Sequence, residues 1–343
     1  MSETDNQPSR RMVIKTAGAG LAAGALAPGL LPAAAAEQTA SAEPIWSAEY
    51  WAQKGPVKLY VYRKRAGAPK PGEAARPVVF LVHGSSNASR SSFDLTVPGR
   101  GEYSFMNVLA RDGFDVWTMD HEGYGKSDRT DSNSDIASGA ADLEAGAVVV
   151  KRETGLTKLH YFGESSGALR AGVLAMNRPD LIDRLVLSAF TYTGEGSSTL
   201  AKRAEALEFY RTHNRRKRDR DMIRSIFTRD RPGVSDPAVG EALADAELVY
   251  GDTVPTGTYL DMTSHLPVVD PLKVKCPVLI LRGEYDGIST EADLLNFYRQ
   301  LPNADRQYVT LPGAAHALVM GINRHQTWYT TRNFLDMPPA QAV

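Results

Sequence analysis

The sequence predicts an α/β fold built on a mostly parallel sheet with helices on both faces, and three observations carry that prediction. Short apolar runs alternate with helix-like segments over most of the chain: Val78 to Val82, Phe114 to Met119, Leu159 to Phe162, Arg184 to Ala189, Pro277 to Leu281 and Gln307 to Leu311. This rhythm is that of strand–helix–strand units, whose strands pair in parallel. Several of the runs are unbroken rather than alternating in polarity, as strands covered on both faces are. Finally, Leu159 to Phe162 leads into Gly163-Glu164-Ser165-Ser166-Gly167 and then into the helix-like Ala168 to Ala175, giving strand, tight turn and helix. Such a corner lifts a serine hydroxyl out of the fold and aims the next backbone N–H, that of Ser166, at a developing oxyanion. Gly163 and Gly167 leave room where strand and helix pass close.

The 343 residues, 43% of them hydrophobic, suffice for a large core. A net charge of −1 gives no global attraction to nucleic acid, so no nucleic-acid partner is expected. The single cysteine, Cys276, excludes an intramolecular disulfide and reads as a buried, inert thiol before Pro277. The sequence has no H-E-x-x-H, no C-x-x-C and no tight carboxylate cluster with ligand spacing, so neither a metal nor an organic cofactor is expected.

The N-terminus is a separate object. Ser9-Arg10-Arg11-Met12-Val13-Ile14-Lys15, the Ala-, Gly- and Leu-rich Thr16 to Leu31, and Pro32-Ala33-Ala34-Ala35-Ala36 read as a twin-arginine signal over 1–36, cleaved after Ala36. The mature protein is then expected in the periplasm or outside the cell. The apolar stretch is too short and too rich in small residues for a comfortable bilayer span, so no stable membrane insertion is expected after cleavage. Gly18-Ala19-Gly20 follows no strand and is not a dinucleotide loop. Residues 37–55 read as a polar linker.

Beyond it, Val57 to Tyr62 alternates like an edge strand, and Val78 to Val82 is a buried one that runs directly into His83-Gly84-Ser85-Ser86. Ser104 to Asp112 is a helix, Phe114 to Met119 a strand, and Asp120-His121-Glu122-Gly123-Tyr124-Gly125-Lys126-Ser127 a turn. Gly125-Lys126-Ser127 is no P-loop, because Asp120 stands where the first glycine belongs. Asp135 to Glu153 is a helix. From Thr191 to Asp270 the strand rhythm stops, and Ser197-Ser198 can cap a helix whose Leu200, Ala204, Leu207 and Tyr210 share one face. There Arg211, Arg215, Arg216, Lys217, Arg218, Arg220, Arg224, Arg229 and Arg231 face only Asp219, Asp221 and Asp230. This run is a solvated surface, or one or two of its arginines reach a pocket and hold a substrate carboxylate. Pro277 to Leu281 then runs into Gly283-Glu284-Tyr285-Asp286, followed by a helix from Ser289 to Leu301, a strand from Gln307 to Leu311, and Pro312-Gly313-Ala314-Ala315-His316.

From about Pro56 to Met337 these motifs resemble the α/β-hydrolase fold family, in which a G-x-S-x-G serine, an acid and a histidine follow one another in that chain order. The His83-Gly84 turn fits, as does the turn at 120–127, close to D-x-R-G-x-G-x-S, although Glu122 stands where arginine is usual. The resemblance implies an eight-stranded sheet, a core over 56–190 and 271–343, and a helical lid over 191–270, inserted after strand 6, that supplies substrate contacts. It implies Ser165 as nucleophile, His316 as base and Asp286 as the acid, with Glu284 the alternative acid. It also implies oxyanion donors at the Ser166 and Ser85 N–H groups, Ser86 being the runner-up to Ser85. His83 is expected to hold its loop by hydrogen bonds, and the departure at Glu122 leaves its role and that of His121 open. Serine at the elbow argues against haloalkane dehalogenase and epoxide hydrolase chemistry, which uses aspartate there. The expected activity is hydrolysis of a small-molecule carboxylic ester through an acyl-enzyme. Lactonases, amidases, carbon–carbon bond hydrolases and cofactor-free perhydrolases share the same triad. Selectivity for acidic monoesters is the expectation attached to the lid arginines, and a small-molecule binding protein is the non-enzymatic alternative.

Overall fold

A computed structural model describes residues 43–338; the expected signal, 1–36, and residues 37–42 lie outside the described residues. Strand structure begins earlier than the sequence suggests. β1 (Ile45–Lys54) and β2 (Val57–Ala66) form an antiparallel hairpin in which Lys54 pairs with Val57 across Gly55, whose φ of 55° the tight turn requires. From Ile45 onward the expected linker over 37–55 is therefore an edge strand. Its polar residues alternate only mildly with the inward-facing ones: Ser47, Glu49 and Gln53 are exposed on one face of β1 while Ala52 is buried on the other. The expected edge strand, β2, is largely buried because β1 covers its outer side.

The remaining strands of the main sheet fall where the apolar runs place them: β3 (Val78–Val82), β4 (Asp115–Met119), β5 (Leu159–Glu164) and β6 (Ile182–Ser188). A short pair, β7 (Arg215–Lys217) and β8 (Thr253–Pro255), lies in the interruption, and β9 (Val278–Gly283) and β10 (Arg306–Leu311) complete the main sheet. Its eight strands run in the order β1-β2-β4-β3-β5-β6-β9-β10. The β1–β2 and β2–β4 pairings are antiparallel and the others parallel. The chain leaves β3 toward β4 on one side and returns to β5 on the other, and such a reversal of strand order leaves a crevice at the carboxyl ends of the strands.

Helices cover both faces. α1 (Ser89–Phe93) and α2 (Phe105–Arg111) contribute Phe93, Phe105 and Leu109 to one core, which takes Val79 and Leu81 from β3. α3 (Ile136–Thr154) and α4 (Ser166–Asn177) contribute Leu143 and Leu169 to the other, which takes Phe80. The alternation along β3 is the two-residue period of a strand buried on both sides. α3 starts on Asp135, whose side chain accepts from the Ser138 N–H, and stops at Gly155, which is left-handed at φ 78°.

Between β6 and β9 lie α5 (Ser198–Ala204), α6 (Leu207–Thr212), α7 (Arg220–Ser225), α8 (Pro237–Leu248) and α9 (Gly257–Ser264). The single helix expected to carry Leu200, Ala204, Leu207 and Tyr210 is two, broken at Glu205-Ala206, and of the four only Leu200 and Tyr210 are buried. The antiparallel β7–β8 pair, unforeseen from so basic a segment, joins the stretch after α6 to the stretch before α9. α10 (Glu291–Gln300) and α11 (Arg324–Leu335) complete the fold. No helix among the described residues is long and apolar enough to cross a membrane.

Candidate active site

Ser165 sits between β5 and α4 with φ 58° and ψ −124°, a strained conformation for a residue with a Cβ. The turn can close this tightly because the residues two away on either side, Gly163 and Gly167, are glycines. A Cβ on Gly163 would stand 2.5 Å from the Ala168 Cα, and one on Gly167 would collide with the Val82 and His83 carbonyl oxygens. The Ser165 N–H donates to the Ser188 carbonyl of β6, which pins the corner to the next strand (2.9 Å).

The loop after β10 brings His316 to this serine. His316 Nε2 lies 2.9 Å from Ser165 Oγ, and Nδ1 lies 2.9 and 3.0 Å from the two Asp286 carboxylate oxygens. Asp286, just beyond β9, is buried and accepts from the Ile288 and Ser289 N–H groups at 2.8 and 3.2 Å. Burial alone would raise its carboxyl pKa. The His316 charge and hydrogen bond, with the two N–H donors, outweigh that and hold it below the ordinary range. The carboxylate therefore fixes the tautomer with Nδ1 protonated, leaving Nε2 free to accept from the serine hydroxyl. Glu284, the alternative acid, is exposed and accepts from the Gly313 N–H (2.8 Å), away from the histidine.

The loop after β3 lies across the crevice, and Ser85 Oγ donates to Ser166 Oγ at 2.8 Å. Among the described residues neither the Ser85 nor the Ser166 N–H donates to another group. The loop is braced from outside: Tyr124 donates to the Ser85 carbonyl (2.9 Å), Arg218 donates to the Ser86 carbonyl (2.6 Å), and Ser86 Oγ meets the Tyr259 hydroxyl (2.7 Å). Glu247 on α8 pairs with Arg218 and accepts from the Ala88 N–H (2.7 Å). His83 is fully buried; its Nδ1 donates to the Gly84 carbonyl (2.8 Å) and its Nε2 accepts from the His121 N–H (3.1 Å). Burial holds its pKa well below the ordinary histidine range, with the neighbouring His121 and Arg170 adding to the effect. Glu122 pairs with Lys54 of β1 (2.8 Å), which also pairs with Asp142, and His121 Nδ1 lies 3.1 Å from Asp142. The departure at Glu122 is thus matched by a cation on the strand that covers it, and neither His121 nor Glu122 lines the cleft.

Four features here have no forewarning in the motifs. Glu164, the variable residue before the serine, lines the cleft; burial raises its carboxyl to about 8, and Oε1 has no partner among the described residues. Arg203 of α5 lines the same cleft with Arg229, while Ile226 and Met320 form apolar walls. Tyr259 is fully buried between the β3 loop and Arg203 and Arg216. The buried Arg218–Glu247 pair bridges to the β3 loop. Arg218 and Arg229 had a signal in the basic run, from which one or two arginines were expected to reach a pocket, and Arg229 does line the cleft; Arg203 lies outside that run, on an N-capped helix.

Comparison with known proteins gives a family match and several likenesses of fold. The profile of the family described as Serine aminopeptidase, S33 (Hydrolase_4) matches residues 73–322. Among solved structures, E-2-(acetamidomethylene)succinate hydrolase superposes with a TM-score of 0.60 at 20% identity, over 85% of this chain and 100% of that one. The 2-hydroxy-6-oxo-6-phenylhexa-2,4-dienoate hydrolase BphD of Rhodococcus sp. strain RHA1 gives 0.62 at 18% identity, over 85% and 99% of the chains. An esterase of Exiguobacterium antarcticum gives 0.60 at 16%, over 84% and 99%. The search of curated proteins found no match. At such identities the three speak to the fold, and their differing names leave the bond that is cleaved to the site itself.

Proposed function

Because the chain belongs to the Serine aminopeptidase, S33 family of hydrolases (Hydrolase_4) and has the α/β-hydrolase fold, we propose that it is a serine hydrolase that cleaves a carboxylic ester of a small molecule. One observation carries this reading: an unbroken hydrogen-bonded line from Ser165 Oγ through His316 to Asp286, with every step between 2.9 and 3.0 Å. In the proposed cycle neutral His316 takes the Ser165 proton at Nε2 as Oγ attacks the substrate carbonyl carbon. The Ser85 and Ser166 N–H groups receive the developing oxyanion, each lowering the barrier by about 3 kcal/mol. Asp286 stabilises the imidazolium. His316 then returns its proton to the leaving alkoxide, and water, activated by the same imidazole, releases the acid from the acyl-enzyme. An alkyl-enzyme route would need a carboxylate where Ser165 stands.

The test is a panel of short p-nitrophenyl esters and amides with the wild-type protein and Ser165→Ala. The expected outcome is ester hydrolysis that falls by about 1,000-fold or more in the variant. Hydrolysis at an undiminished rate after the substitution would sink the assignment. For location we propose export by the twin-arginine route to the periplasm or beyond, supported by Arg10-Arg11 and the small-residue segment ending at Ala36.

A further inference from the structure

The lid region carries many cations, and most are answered. Arg220 pairs with Glu241 and Asp245 at 3.1 and 2.7 Å, Arg224 with Asp221 and Glu241 at 3.1 and 2.5 Å, and buried Arg218 with Glu247. These are ordinary surface or bracing pairs. Arg203, Arg216 and Arg229 are different. Among the described residues Arg203 and Arg216 pair with no carboxylate, and Arg229 has only its chain neighbour Asp230, at 3.4 Å. Arg203 and Arg216 instead lie against Tyr259, at 5.2 and 4.7 Å from its ring, which orients the guanidinium groups without neutralising them.

Their placement gives this excess charge a direction. The cleft beside Ser165 is narrow, about 50 Å³, whereas the recess outside it is about 700 Å³; Arg203 and Arg229 line both, and Arg216 lines the recess. The acidic residues that face them are Asp230, 3.4 Å from Arg229, Glu164 in the cleft and the exposed Glu205 at the recess. Glu164, raised to about 8 by burial, is mostly protonated at neutral pH and offers the arginines little counter-charge. Burial, and then repulsion from Arg229, pulls the Arg203 guanidinium down to about 10. Three guanidinium groups gathered around one partnered carboxylate leave an excess of like charge, which is unfavourable where the site is partly closed, and an incoming anion relieves it. Guanidinium presents paired donors that match a carboxylate.

We infer, on the hydrolase reading above, that the substrate is an ester carrying a free carboxylate, which Arg203 and Arg229 hold at the mouth of the cleft while its ester carbonyl lies against Ser165. Arg216 adds to the attraction from the recess. The charge acts on binding and orientation and takes no part in the bond-breaking steps.

The test compares mono-p-nitrophenyl glutarate with p-nitrophenyl pentanoate, esters of similar length that differ by the carboxylate. The wild-type protein is expected to prefer the glutarate in kcat/KM. Arg203→Gln and Arg229→Gln are each expected to cut the ratio of the two kcat/KM values by about 10-fold, through KM, as loss of a hydrogen bond to a charged group does. Arg203→Lys should retain part of the preference, and Arg220→Gln, a surface pair on the same lid, should leave the ratio unchanged. Absence of a wild-type preference, or an unchanged ratio in the folded Arg203→Gln/Arg229→Gln double variant, overturns the inference. Calorimetric titration of Ser165→Ala with monomethyl glutarate and methyl pentanoate separates this from the chemistry. Binding of the glutarate alone, abolished by adding Arg203→Gln, supports the anion site even if neither p-nitrophenyl ester is hydrolysed; equal or absent binding of both overturns it.

Discussion

The side chain that fixes the histidine is Asp286, and its role rests on charge rather than on size. Asp286→Asn keeps the shape but offers Nδ1 an amide that can stabilise the wrong tautomer. On the proposed mechanism kcat falls by about 10,000-fold while the melting temperature changes little. A variant retaining more than a tenth of the activity would remove Asp286 from the mechanism. Glu164 gives a prediction of the opposite character, about stability. A carboxyl raised in the folded state stays protonated there after the unfolded chain has ionised. From its ordinary value of 4.5 up to about 8, folding therefore takes up a proton and wild-type stability falls as the pH rises. Glu164→Gln removes that dependence, so its melting temperature should gain on the wild type by several degrees between pH 5 and pH 8. An equal difference at both pH values would show that Glu164 ionises normally. The glycines around Ser165 belong to this scale too: they were legible in the sequence because only backbone can occupy the space between β5, α4 and the β3 loop.

At the scale of elements, the helical region between β6 and β9 braces the β3 loop. Arg218, just after β7, reaches the Ser86 carbonyl, and Glu247 of α8 takes both the guanidinium and the Ala88 N–H, so two parts of this region brace the backbone that presents the Ser85 N–H. The pair is almost wholly buried, at 2% and 1% side-chain exposure, so cutting it leaves a charge without a partner in a dry site. Glu247→Gln is expected to destabilise the fold by about 3–5 kcal/mol in urea denaturation, and to lower kcat for a neutral ester more than it raises KM. If kcat is unchanged in the folded variant, the brace has no bearing on the oxyanion donors. The sequence showed the basic run but not its division of labour, because pairing depends on which acids the helices bring within reach. Glu247 lies 29 residues from Arg218 along the chain.

Across the whole molecule, the order of strands sets the site where β3 and β5 part company, and the export proposed above assigns the address to the N-terminal segment. If Arg10 and Arg11 direct export, the double variant Arg10→Lys/Arg11→Lys should strand active enzyme in the cytoplasm, measured as ester hydrolysis in fractionated cells. A normal periplasmic or extracellular share would refute that route.

The sequence by itself determined the alternating architecture, the strained serine corner and the chain order of serine, acid and histidine. These are local signals: unbroken apolar runs, glycines at a close approach, and polar residues at strand ends. It did not reveal β1, whose polar and apolar residues alternate too mildly to stand out from a linker, nor the short β7–β8 pair. Only the tertiary structure decided that Arg203 and Arg229 face the serine, that Glu122 answers to Lys54, and that Arg218 braces the loop. Each of these depends on long-range approach of charged side chains, and a guanidinium reads the same along a chain whether it faces water, a carboxylate or an empty cleft.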